Sequence, residues 1–502
     1  MPATSDQIVQ DLRAEFETLL ESVVSAEARS MTADTMERRL LRQVLALGRS
    51  LFALFLATRA AATEQPVDRS PDGVERPYNS LRERTVLSIF GPVVFTRPYF
   101  YRADVGGAAP VDAQLSLPPT RCSDLVRETV EELGVEDAYH KGLGVLRRLL
   151  GLALSTRTLK EQVAEDAPEV AAFEAQQAPP PSAEEAAILV VQADGKGVPI
   201  LRPPATSAPV RLGKGQKRGG KKEATLTAVY TLAPAVRTPE AVVASLFAPA
   251  STPPAVTPER AGPRHKQLRA TLAGKDAALA EAANQVTRRD GPHLAHRVAL
   301  TDGAPALQER VRQWFPSFTL VLDLIHATEY LWDAANALWG EAHPARLAWV
   351  QARTLLLLQS AVLPVADELE RLAQDPRRTK RAAKVLRGVA GYLARNAPFM
   401  QYATYLAQGW PIATGVIEGA CRHLVKDRCE LSGMRWTMDG AEALLQLRCV
   451  HENGDWDAFH AFRRRQRHQR LYALPYPEDG PVDPLDLHVL DPSSVERTTL
   501  AA

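Results

Sequence analysis

Three short apolar runs that each end in an aspartate constrain the fold of this chain more than any other feature. The runs are "AAILVVQAD" (186–194), "HRVALTD" (296–302) and "FTLVLD" (318–323). A continuous apolar run of this length is typical of a strand that is buried on both faces of a sheet. We therefore predict that the three strands belong to one sheet and deliver Asp194, Asp302 and Asp323 to its carboxyl edge.

Each aspartate also has an ordinary interpretation, as a turn former or a helix N-cap, and for any single one this interpretation is the better one. The order of the elements around them favours a shared role. Further strands are predicted near 197–202 and over 224–230. A long helical pattern covers 263–287, and a short helix is predicted around 304–314.

The segment "GVIEGACRHLVKD" (415–427) places Glu418, Arg422 and Lys426 at steps of four. Positions four apart share one face of a helix, so the acid and the two cations are predicted to line one edge. The plain alternative is that Glu418 only pairs with Arg422 on a helix surface. Between 327 and about 410 the sequence predicts Leu- and Ala-rich helices and no strand.

The N-terminal third predicts a different architecture. Residues 5–60 have a helical periodicity without proline, and residues 86–101 change to β-branched and aromatic residues around "GP", which predicts a hairpin. Two or three helices are predicted between 121 and 166. The last two resemble a helix-turn-helix with a capping box of Thr158 and Glu161, which would place Arg157 and Lys160 where such folds read DNA. Any pair of antiparallel helices could give the same pattern.

These patterns predict an α/β core with an all-α insertion, preceded by a mainly helical N-terminal region. The predicted parts are a DNA-binding region (1–166), a linker rich in Pro, Ala and Gln (167–185), a core (186–326 and 411–455), an all-helical insertion (327–410), and a basic segment with a Pro-rich tail (456–502). At 502 residues the chain is too long for one ordinary core.

Composition describes a globular protein in a reducing compartment. The hydrophobic content is 45% and the charged content 24%. The four cysteines form no C-x-x-C pair and no recognisable zinc pattern. No signal peptide is recognisable, and the apolar stretch 51–62 is short and interrupted by Arg59. We therefore expect a cytoplasmic protein, associated with the nucleoid when it binds DNA.

The net charge of +1 conceals three strongly basic segments, 211–222, 377–387 and 463–470. Such segments are usually solvated linkers or helix faces, but three in one chain favour a polyanionic partner. The first carries six cations and no acid. We expect phosphate contacts from five of them, Lys214, Lys217, Arg218, Lys221 and Lys222.

The predicted order of elements is that of the ribonuclease-H-like fold, in which acids of the first strand, the fourth strand and a later helix converge. Converging carboxylates repel one another and need a cation, and hard oxygen ligands suit Mg²⁺. Two such ions can stabilise the attacking and leaving oxygens of a phosphoryl transfer. Asp194 would bridge both ions, with Asp302 and Glu418 each completing one site. Mn²⁺ is an alternative metal.

The chain resembles the DDE transposases of bacterial insertion sequences, in particular the ISKra group. The resemblance covers roughly residues 80–460 and rests on "QADGKGVPI", "TLTAVY", "LTDGAPAL", "FTLVLDLIHATEYLWDAA" and "GVIEGACRHLVKDRCELSGMRWTMDGAEALLQLR". It implies a ribonuclease-H-like catalytic core with a helical insertion. It also implies Mg²⁺-dependent cleavage and strand transfer at transposon ends, with double-stranded DNA as partner and a homodimer or larger assembly on that DNA.

The resemblance implies roles for particular residues. Asp194, Asp302 and Glu418 would be the catalytic triad, and Asp323 and His326 an accessory Asp-x-x-His pair. Asp323 could replace Asp302 as a metal ligand, since it also follows a strand. The residues implied for DNA contact are Arg422, Lys426, Arg435 and Trp436, the last either buried packing or a platform for an unpaired base. Related transposases often have cysteines near "YFYRADVGGAAPVD"; this chain has none there, which argues against a zinc site.

Two other functions would use the same residues differently. A ribonuclease-H-like nuclease or resolvase would cut without joining strands. A transposase-derived repressor would bind DNA without cutting it, and such a protein is expected to lose one of the acids. All three acids are present in this chain.

Overall fold

The structure is a computed structural model, and it describes residues 5–62, 67–70, 72–201, 220–248, 262–431 and 433–477. The chain divides into two compact units. The first comprises Met1–Glu169 with Asp455–Ala502, and the second comprises Val170–Gly454. The described residues form helices and two sheets, as predicted for an α/β protein with helical regions.

The first unit begins with two helices, α1 (Ser5–Val24) and α2 (Ala33–Ala61), which confirms the helical prediction for this region. The Thr32 side chain caps α2 by accepting a hydrogen bond from the N–H of Thr35. By length and composition alone α2 could cross a membrane, and 6% of its apolar window is buried. One such helix near the N-terminus is weak evidence for a membrane span, so it does not contradict the cytoplasmic location expected from the sequence.

An antiparallel sheet follows, in the order β1-β2-β3-β4. Its strands are β1 (Val67–Arg69), β2 (Glu75–Ser88), β3 (Gly91–Arg102) and β4 (Gly106–Ala108). The hairpin predicted around "GP" is confirmed by the pairing of β2 with β3. Leu56 and Ala60 of α2 pack with Val86 and Val93 of this hairpin, so one side of α2 is buried against the sheet.

The first unit continues with helices, as predicted for 121–166. They are α3 (Pro110–Gln114), α4 (Asp124–Glu136), α5 (Tyr139–Leu150) and α6 (Thr156–Asp166), and a C-terminal helix (Trp456–Tyr472) completes the unit. Gly151 ends α5 with a φ of 70°, a left-handed conformation that favours glycine.

The capping box predicted for α6 is wrong. Ser155 caps this helix, because its Oγ accepts a hydrogen bond of 3.0 Å from the N–H of Thr158. Thr158 therefore lies inside the first turn. Glu161 does not reach back to the cap, since its Oε1 accepts a hydrogen bond of 2.7 Å from Nε of Arg157.

The second unit contains a five-stranded mixed sheet in the order β7-β6-β5-β8-β9. Strands β7, β6 and β5 pair antiparallel, whereas β5, β8 and β9 pair parallel. The elements up to β9 are α7 (Val170–Gln176), β5 (Ile188–Pro199), β6 (Lys221–Leu232), α8 (Pro239–Leu246), β7 (Arg264–Thr271), α9 (Lys275–Arg289), β8 (His296–Thr301), α10 (Pro305–Trp314) and β9 (Thr319–Leu322). Helix α7 lies within the predicted linker.

Two sequence-based predictions for this sheet are wrong. The separate strand near 197–202 does not exist, because β5 continues through "DGKG" and pairs with β6 as far as Pro199. The helical pattern over 263–287 begins with a strand, since β7 pairs with the edge of β6. Gly274, with a φ of 105°, separates this strand from α9. Three strands still precede α9, as predicted, but α8 lies between the second and the third of them.

The remainder of the second unit is helical. Its elements are α11 (Leu324–Trp339), α12 (Ala345–Leu358), α13 (Val362–Gln374), α14 (Lys380–Asn396), α15 (Tyr402–Ala407), α16 (Gly415–Ala420), a π-helical turn (Cys421–Lys426), α17 (Asp427–Cys429) and α18 (Met438–Glu452). Every residue from 327 to 410 is described, and this segment contains no strand.

Packing explains why the strands are apolar throughout. Leu189 and Val191 of β5 belong to a buried cluster with Leu279 of α9 and Val311 of α10. Ile188 and Val190, which alternate with these residues along β5, are fully buried as well. The strand is therefore covered on both faces, and its polar residues begin where this cover ends.

Candidate functional site

The pairing of the parallel strands places Asp194, Asp302 and Asp323 at one level of the mixed sheet. The last residue pair of β5 and β8 lies two positions before Asp194 and Asp302. The last pair of β8 and β9 lies one position before Asp302 and Asp323. The prediction that these aspartates follow their strands is right for Asp302 and Asp323. It is wrong for Asp194, which lies inside β5 because β6 continues to pair with that strand.

Strand β5 also fixes the helix that carries Glu418. The side-chain Oε1 of Gln192 accepts a hydrogen bond of 2.9 Å from the N–H of Ile417, in the first turn of α16. The Nε2 of Gln192 donates to the Tyr230 hydroxyl at 3.0 Å. Side chains two positions apart point to the same face of a strand, so Gln192 and Asp194 share a face. Buried Gln192 thus holds the Glu418 helix over that face of β5.

Asp323, His326 and Glu418 form a group that we call the edge cluster, in which one ligand atom from each residue lies within 4.8 Å of the others. Nδ1 of His326 lies 2.7 Å from Oδ2 of Asp323 and 3.9 Å from Oε1 of Glu418. Asp323 is fully buried, and its Oδ1 caps α11 by accepting from the N–H of Ile325 at 2.9 Å. Glu418 retains 43% of its side-chain exposure. The cluster therefore runs from a buried acid to a solvent-accessible one.

Hydrogen bonds keep Asp323 and His326 of the edge cluster charged. Burial alone would raise the pKa of Asp323, but hydrogen bonds from His326, Thr414 and the N–H of Ile325 outweigh burial and lower the pKa. The hydrogen bond to Asp323 raises the pKa of His326 to about 9, although burial of the ring opposes this shift. At neutral pH the pair is therefore an imidazolium beside a carboxylate.

Thr414 lies between the two acids of the edge cluster. Its hydroxyl oxygen is 2.7 Å from Oδ2 of Asp323 and 2.9 Å from Oε1 of Glu418. A hydroxyl carries one proton and can donate to only one carboxylate at a time. One of these close oxygen pairs therefore lacks a proton, and a cation beside Glu418 would compensate for it. The accessible carboxylate of Glu418 is a hard oxygen ligand of the kind that a divalent cation such as Mg²⁺ prefers.

A cavity of about 290 Å³ opens beside Glu418. Four of the residues that line it are charged groups of the predicted site or its neighbours: Asp194, Glu418, Arg422 and Lys426. The others are Lys196, His326, Glu329 and Cys421. Glu418, Arg422 and Lys426 thus share one cavity, as their spacing predicts, although a π-helical turn and not a regular α-helix carries the two cations.

Cys421 supports Asp194 inside this cavity. Its thiol donates to Oδ2 of Asp194 over 3.2 Å. Burial, and then the charge of Asp194, raises the pKa of Cys421, so the thiol keeps its proton at neutral pH. The neutral thiol can therefore orient the carboxylate without adding negative charge to the cavity.

Asp302 occupies the sheet edge without joining the edge cluster. Its Oδ1 accepts from the N–H of Ala304 at 3.0 Å, and its main-chain carbonyl accepts from the Tyr392 hydroxyl at 3.1 Å. The next residue, Gly303, has a φ of 90°, and a Cβ there would lie 2.8 Å from Tyr392. The charge of Asp302 also contributes, as the smallest of several causes, to the raised pKa of His326.

The residues predicted for DNA contact divide into several places. Arg422 and Lys426 line the cavity, with Nε of Arg422 3.6 Å from Oδ2 of Asp427 rather than paired with Glu418. Arg435 is exposed. Trp436 is 9% exposed and donates to the carbonyl of Cys429 at 3.1 Å, a position that favours packing.

The other predicted contacts lie outside this cavity. Nζ of Lys221 lies 2.6 Å from Oε1 of Glu430, and Lys222 is exposed on the same strand. Lys214, Lys217 and Arg218 lie outside the described residues. Arg157 and Lys160 are exposed near the start of α6 in the first unit. Their role in DNA binding stays a prediction.

Sequence reasoning missed four residues of this site. Lys196 had a usable signal, because it follows Asp194 by two positions and so shares its strand face. Thr414 also had one, since it precedes Glu418 by one helical turn. Gln192 and Cys421 had none: Gln192 contacts a residue 225 positions away, and the partner of Cys421 is 227 positions away.

Comparison with known proteins adds no identification. No protein-family model matches this chain, and no curated protein shows significant similarity to it.

Proposed function

We propose that the chain is a DNA transposase of the DDE type, which binds the ends of an insertion sequence and catalyses metal-dependent strand cleavage and strand transfer. One observation carries this proposal: Asp194, Glu418 and three cations line the same cavity at the carboxyl edge of the sheet. Acids that bind a divalent cation next to groups that bind phosphate are what a phosphoryl transfer requires. The strand order β7-β6-β5-β8-β9, followed by a long helical segment, supports a ribonuclease-H-like core with an insertion.

We assign Asp194, Asp302 and Glu418 as the ligands of Mg²⁺, for which Mn²⁺ could substitute. Both oxygens of Asp323 already accept hydrogen bonds, from Ile325 on one side and from His326 and Thr414 on the other. Asp323 is therefore better suited to position His326 than to bind a metal. Bound Mg²⁺ would supply Lewis-acid stabilisation of the attacking and leaving oxygens.

The chain's own side chains account for DNA binding at this site. Lys196, Arg422 and Lys426 line the cavity and can bind the oxygens of the DNA backbone. His326 is protonated at neutral pH because its pKa is about 9, so the ring nitrogen that does not face Asp323 is free to donate to a phosphate. Cys421 holds the carboxylate of Asp194 in place.

The experiment incubates the purified chain with a supercoiled plasmid that carries the DNA flanking its own coding sequence. Nicked, linear and joined products are measured with Mg²⁺, with Mn²⁺, with Ca²⁺ and with EDTA. We expect cleavage and joined products with Mg²⁺ or Mn²⁺ only. Asp194→Asn should abolish both, whereas Glu329→Gln, which removes an acid from the same cavity, should retain most activity.

The products also separate the competing functions. Cleavage without joined products would identify a nuclease or resolvase. Specific binding without cleavage under any metal would identify a repressor. Equal loss of activity in Asp194→Asn and Glu329→Gln would remove the ligand assignment, because general cavity charge would then explain the effect.

A further inference from the structure

Helices α1 and α2 expose an unusual amount of apolar surface. Eight of their large apolar side chains are between 43% and 72% exposed. These residues, which we call the apolar stripes, are Phe16, Leu20, Val23 and Val24 on α1 and Leu41, Val44, Leu51 and Phe55 on α2. Only Leu12 on α1 and Leu56 and Ala60 on α2 are buried among the described side chains of these helices. Among the described residues, the first unit therefore leaves these two stripes of apolar side chains exposed.

The stripes have the geometry of a helix-packing seam. At about 100° per residue, Phe16, Leu20 and Val23 lie within an arc of about 60°. The four stripe residues of α2 lie within an arc of about 80° by the same measure. Leu56 and Ala60, which contact the β2–β3 hairpin, lie on a different side of α2. The α2 stripe is thus separate from the face that packs on the sheet, and spacings of three and four are those of coiled-coil contacts.

The two helices carry opposite charges. Helix α1 contains five acids and one arginine, whereas α2 contains five arginines and two acids. By the same measure Glu17 lies about 60° from the edge of the α1 stripe, and Arg59 lies at the edge of the α2 stripe. The two stripes therefore differ in the sign of the charges beside them.

We propose that the apolar stripes form a two-fold interface between two copies of this chain, with α1 of one copy packed against α2 of the other. A two-fold axis makes every such contact twice. A phenylalanine buries roughly 150 Å² or more, and leucine and valine bury less. Eight such side chains at about half exposure present on the order of 500 Å² per copy, which matches the roughly 65% apolar share of the about 800 Å² that each partner contributes to a standard interface. The proposal does not depend on the function of the catalytic site.

A membrane is a poorer occupant of this surface. Every 18-residue span of α2 includes Arg49, and placing an arginine in the bilayer is costly. A helix lying on an anionic membrane would bring acidic α1 with it, and like charges repel. A second copy offers the opposite charge to each helix at once.

The test measures the mass of the full chain in solution by light scattering and sedimentation at micromolar concentration. We expect twice the chain mass of 54.9 kDa. The paired changes Phe16→Glu with Leu20→Glu, and Leu51→Glu with Phe55→Glu, should each weaken association at least 100-fold. Leu81→Glu and Leu149→Glu are matched controls, since both leucines are 55% exposed in the first unit outside the stripes, and should leave the dimer intact. Circular dichroism checks that each variant remains folded.

A charge exchange tests the pairing of the helices. Glu17→Arg alone and Arg59→Glu alone should weaken the dimer, and the two together should restore it. A monomeric wild-type chain would overturn the proposal, as would a dimer that the stripe variants affect no more than the controls. Flotation of a monomeric chain with phosphatidylglycerol vesicles would overturn it in favour of a membrane surface.

Discussion

The two units each contain a group of two acids and one histidine, and the groups behave in opposite ways. The edge cluster of the second unit is Asp323, His326 and Glu418, and the first unit holds Glu131, Asp166 and His460, which we call the buried cluster. In both groups one ligand atom from each residue lies within 4.8 Å of the others. Residue type and proximity alone would assign both groups the same role.

The surroundings distinguish them. In the edge cluster the pKa of Asp323 is lowered and that of His326 is raised, so both residues are charged at neutral pH. In the buried cluster burial, and then the charge of Asp166, raises the pKa of Glu131 well above its usual range. Burial, and then the charge of Arg463, lowers the pKa of His460 well below its usual range. Both of these residues are therefore neutral.

Arginines already compensate the remaining charge of the buried cluster. Arg127 donates to Asp166 from Nε at 2.8 Å and from Nη2 at 2.6 Å, and Nε of Arg463 lies 3.2 Å from the same carboxylate. A cation would have to enter a closed site beside two guanidinium groups. The comparison teaches that a metal site needs an accessible carboxylate in addition to suitable ligand types, and of these two clusters only the edge cluster has one, on Glu418.

The largest effect should separate the two clusters by activity. Glu418→Gln keeps the shape of the side chain and removes the charge that would hold Mg²⁺, so we expect strand cleavage to fall by several orders of magnitude. Glu131→Gln should leave cleavage within about threefold of wild type. The plasmid assay measures both variants. Near-normal cleavage by Glu418→Gln would show that Glu418 is an ordinary surface residue and that the two clusters do not differ in catalytic role.

For stability, we expect the larger effect at the buried cluster and the smaller effect at the cavity beside Glu418. Arg127→Met leaves Asp166 buried without its main partner, and breaking a buried ion pair in this way costs about 3 to 5 kcal/mol. The Arg422 side chain is 70% exposed, so Arg422→Met should change the free energy of unfolding by less than about 1 kcal/mol. Urea unfolding measures both variants. Equal losses would show that the buried cluster is no more structural than the cavity rim.

The histidines should titrate far apart in the metal-free protein. The folded pKa of His326 is raised to about 9, so the stabilisation from its charge is complete below its ordinary pKa of 6.5 and is lost as pH rises through about 9. NMR titration should therefore show His326 changing near pH 9. In Asp323→Asn this pKa should fall towards 6.5, while His460 should stay neutral at every pH above its ordinary pKa. Titration of both rings near 6.5 would remove the electrostatic distinction.

The smallest expected effect concerns the pH dependence of stability in the first unit. A raised acid pKa in the folded state means that the contribution of Glu131 is fully present below its unfolded pKa and is lost as pH rises through the folded pKa. Glu131→Gln removes this titration, so its stability should fall less than that of wild type as pH rises from about 4.3. Denaturant midpoints across pH measure the difference. A steeper decline in the variant would show that Glu131 is ionised in the folded protein.

Sequence patterns predicted the parts of the fold that depend on local burial. Apolar runs predicted β8 and β9 and placed Asp302 and Asp323 after them, because strands covered on both faces must be apolar until they end. The sequence did not predict strand β7, because this strand is basic and lacks a continuous apolar run. Its basic residues are tolerated at the edge of the sheet, and that edge position results from pairing with β6, which is distant in sequence.

The candidate site also combines features that a local sequence pattern predicts with features that depend on distant residues. The spacing of Glu418, Arg422 and Lys426 predicted that they lie on one side of one segment, and all three line one cavity. The support from Gln192 and Cys421 could not be predicted, since each acts across more than 200 positions of sequence. The buried cluster also combines α4, α6 and the C-terminal helix, and no local pattern indicates that these elements meet.

The π-helical turn from Cys421 to Lys426 has a consequence for how this site tolerates change. A π-helical turn contains one residue more than an α-helical turn. The number of residues in this turn therefore determines the direction in which the side chains after it point. Deleting one residue here would let the backbone relax into a regular helix and would swing every later side chain around the helix axis. The Glu418 helix could survive that shortening, while Lys426 would point away from the cavity. Spacing between the acid and its cations is thus held by backbone length, and a single codon lost or gained would disturb it more than most substitutions.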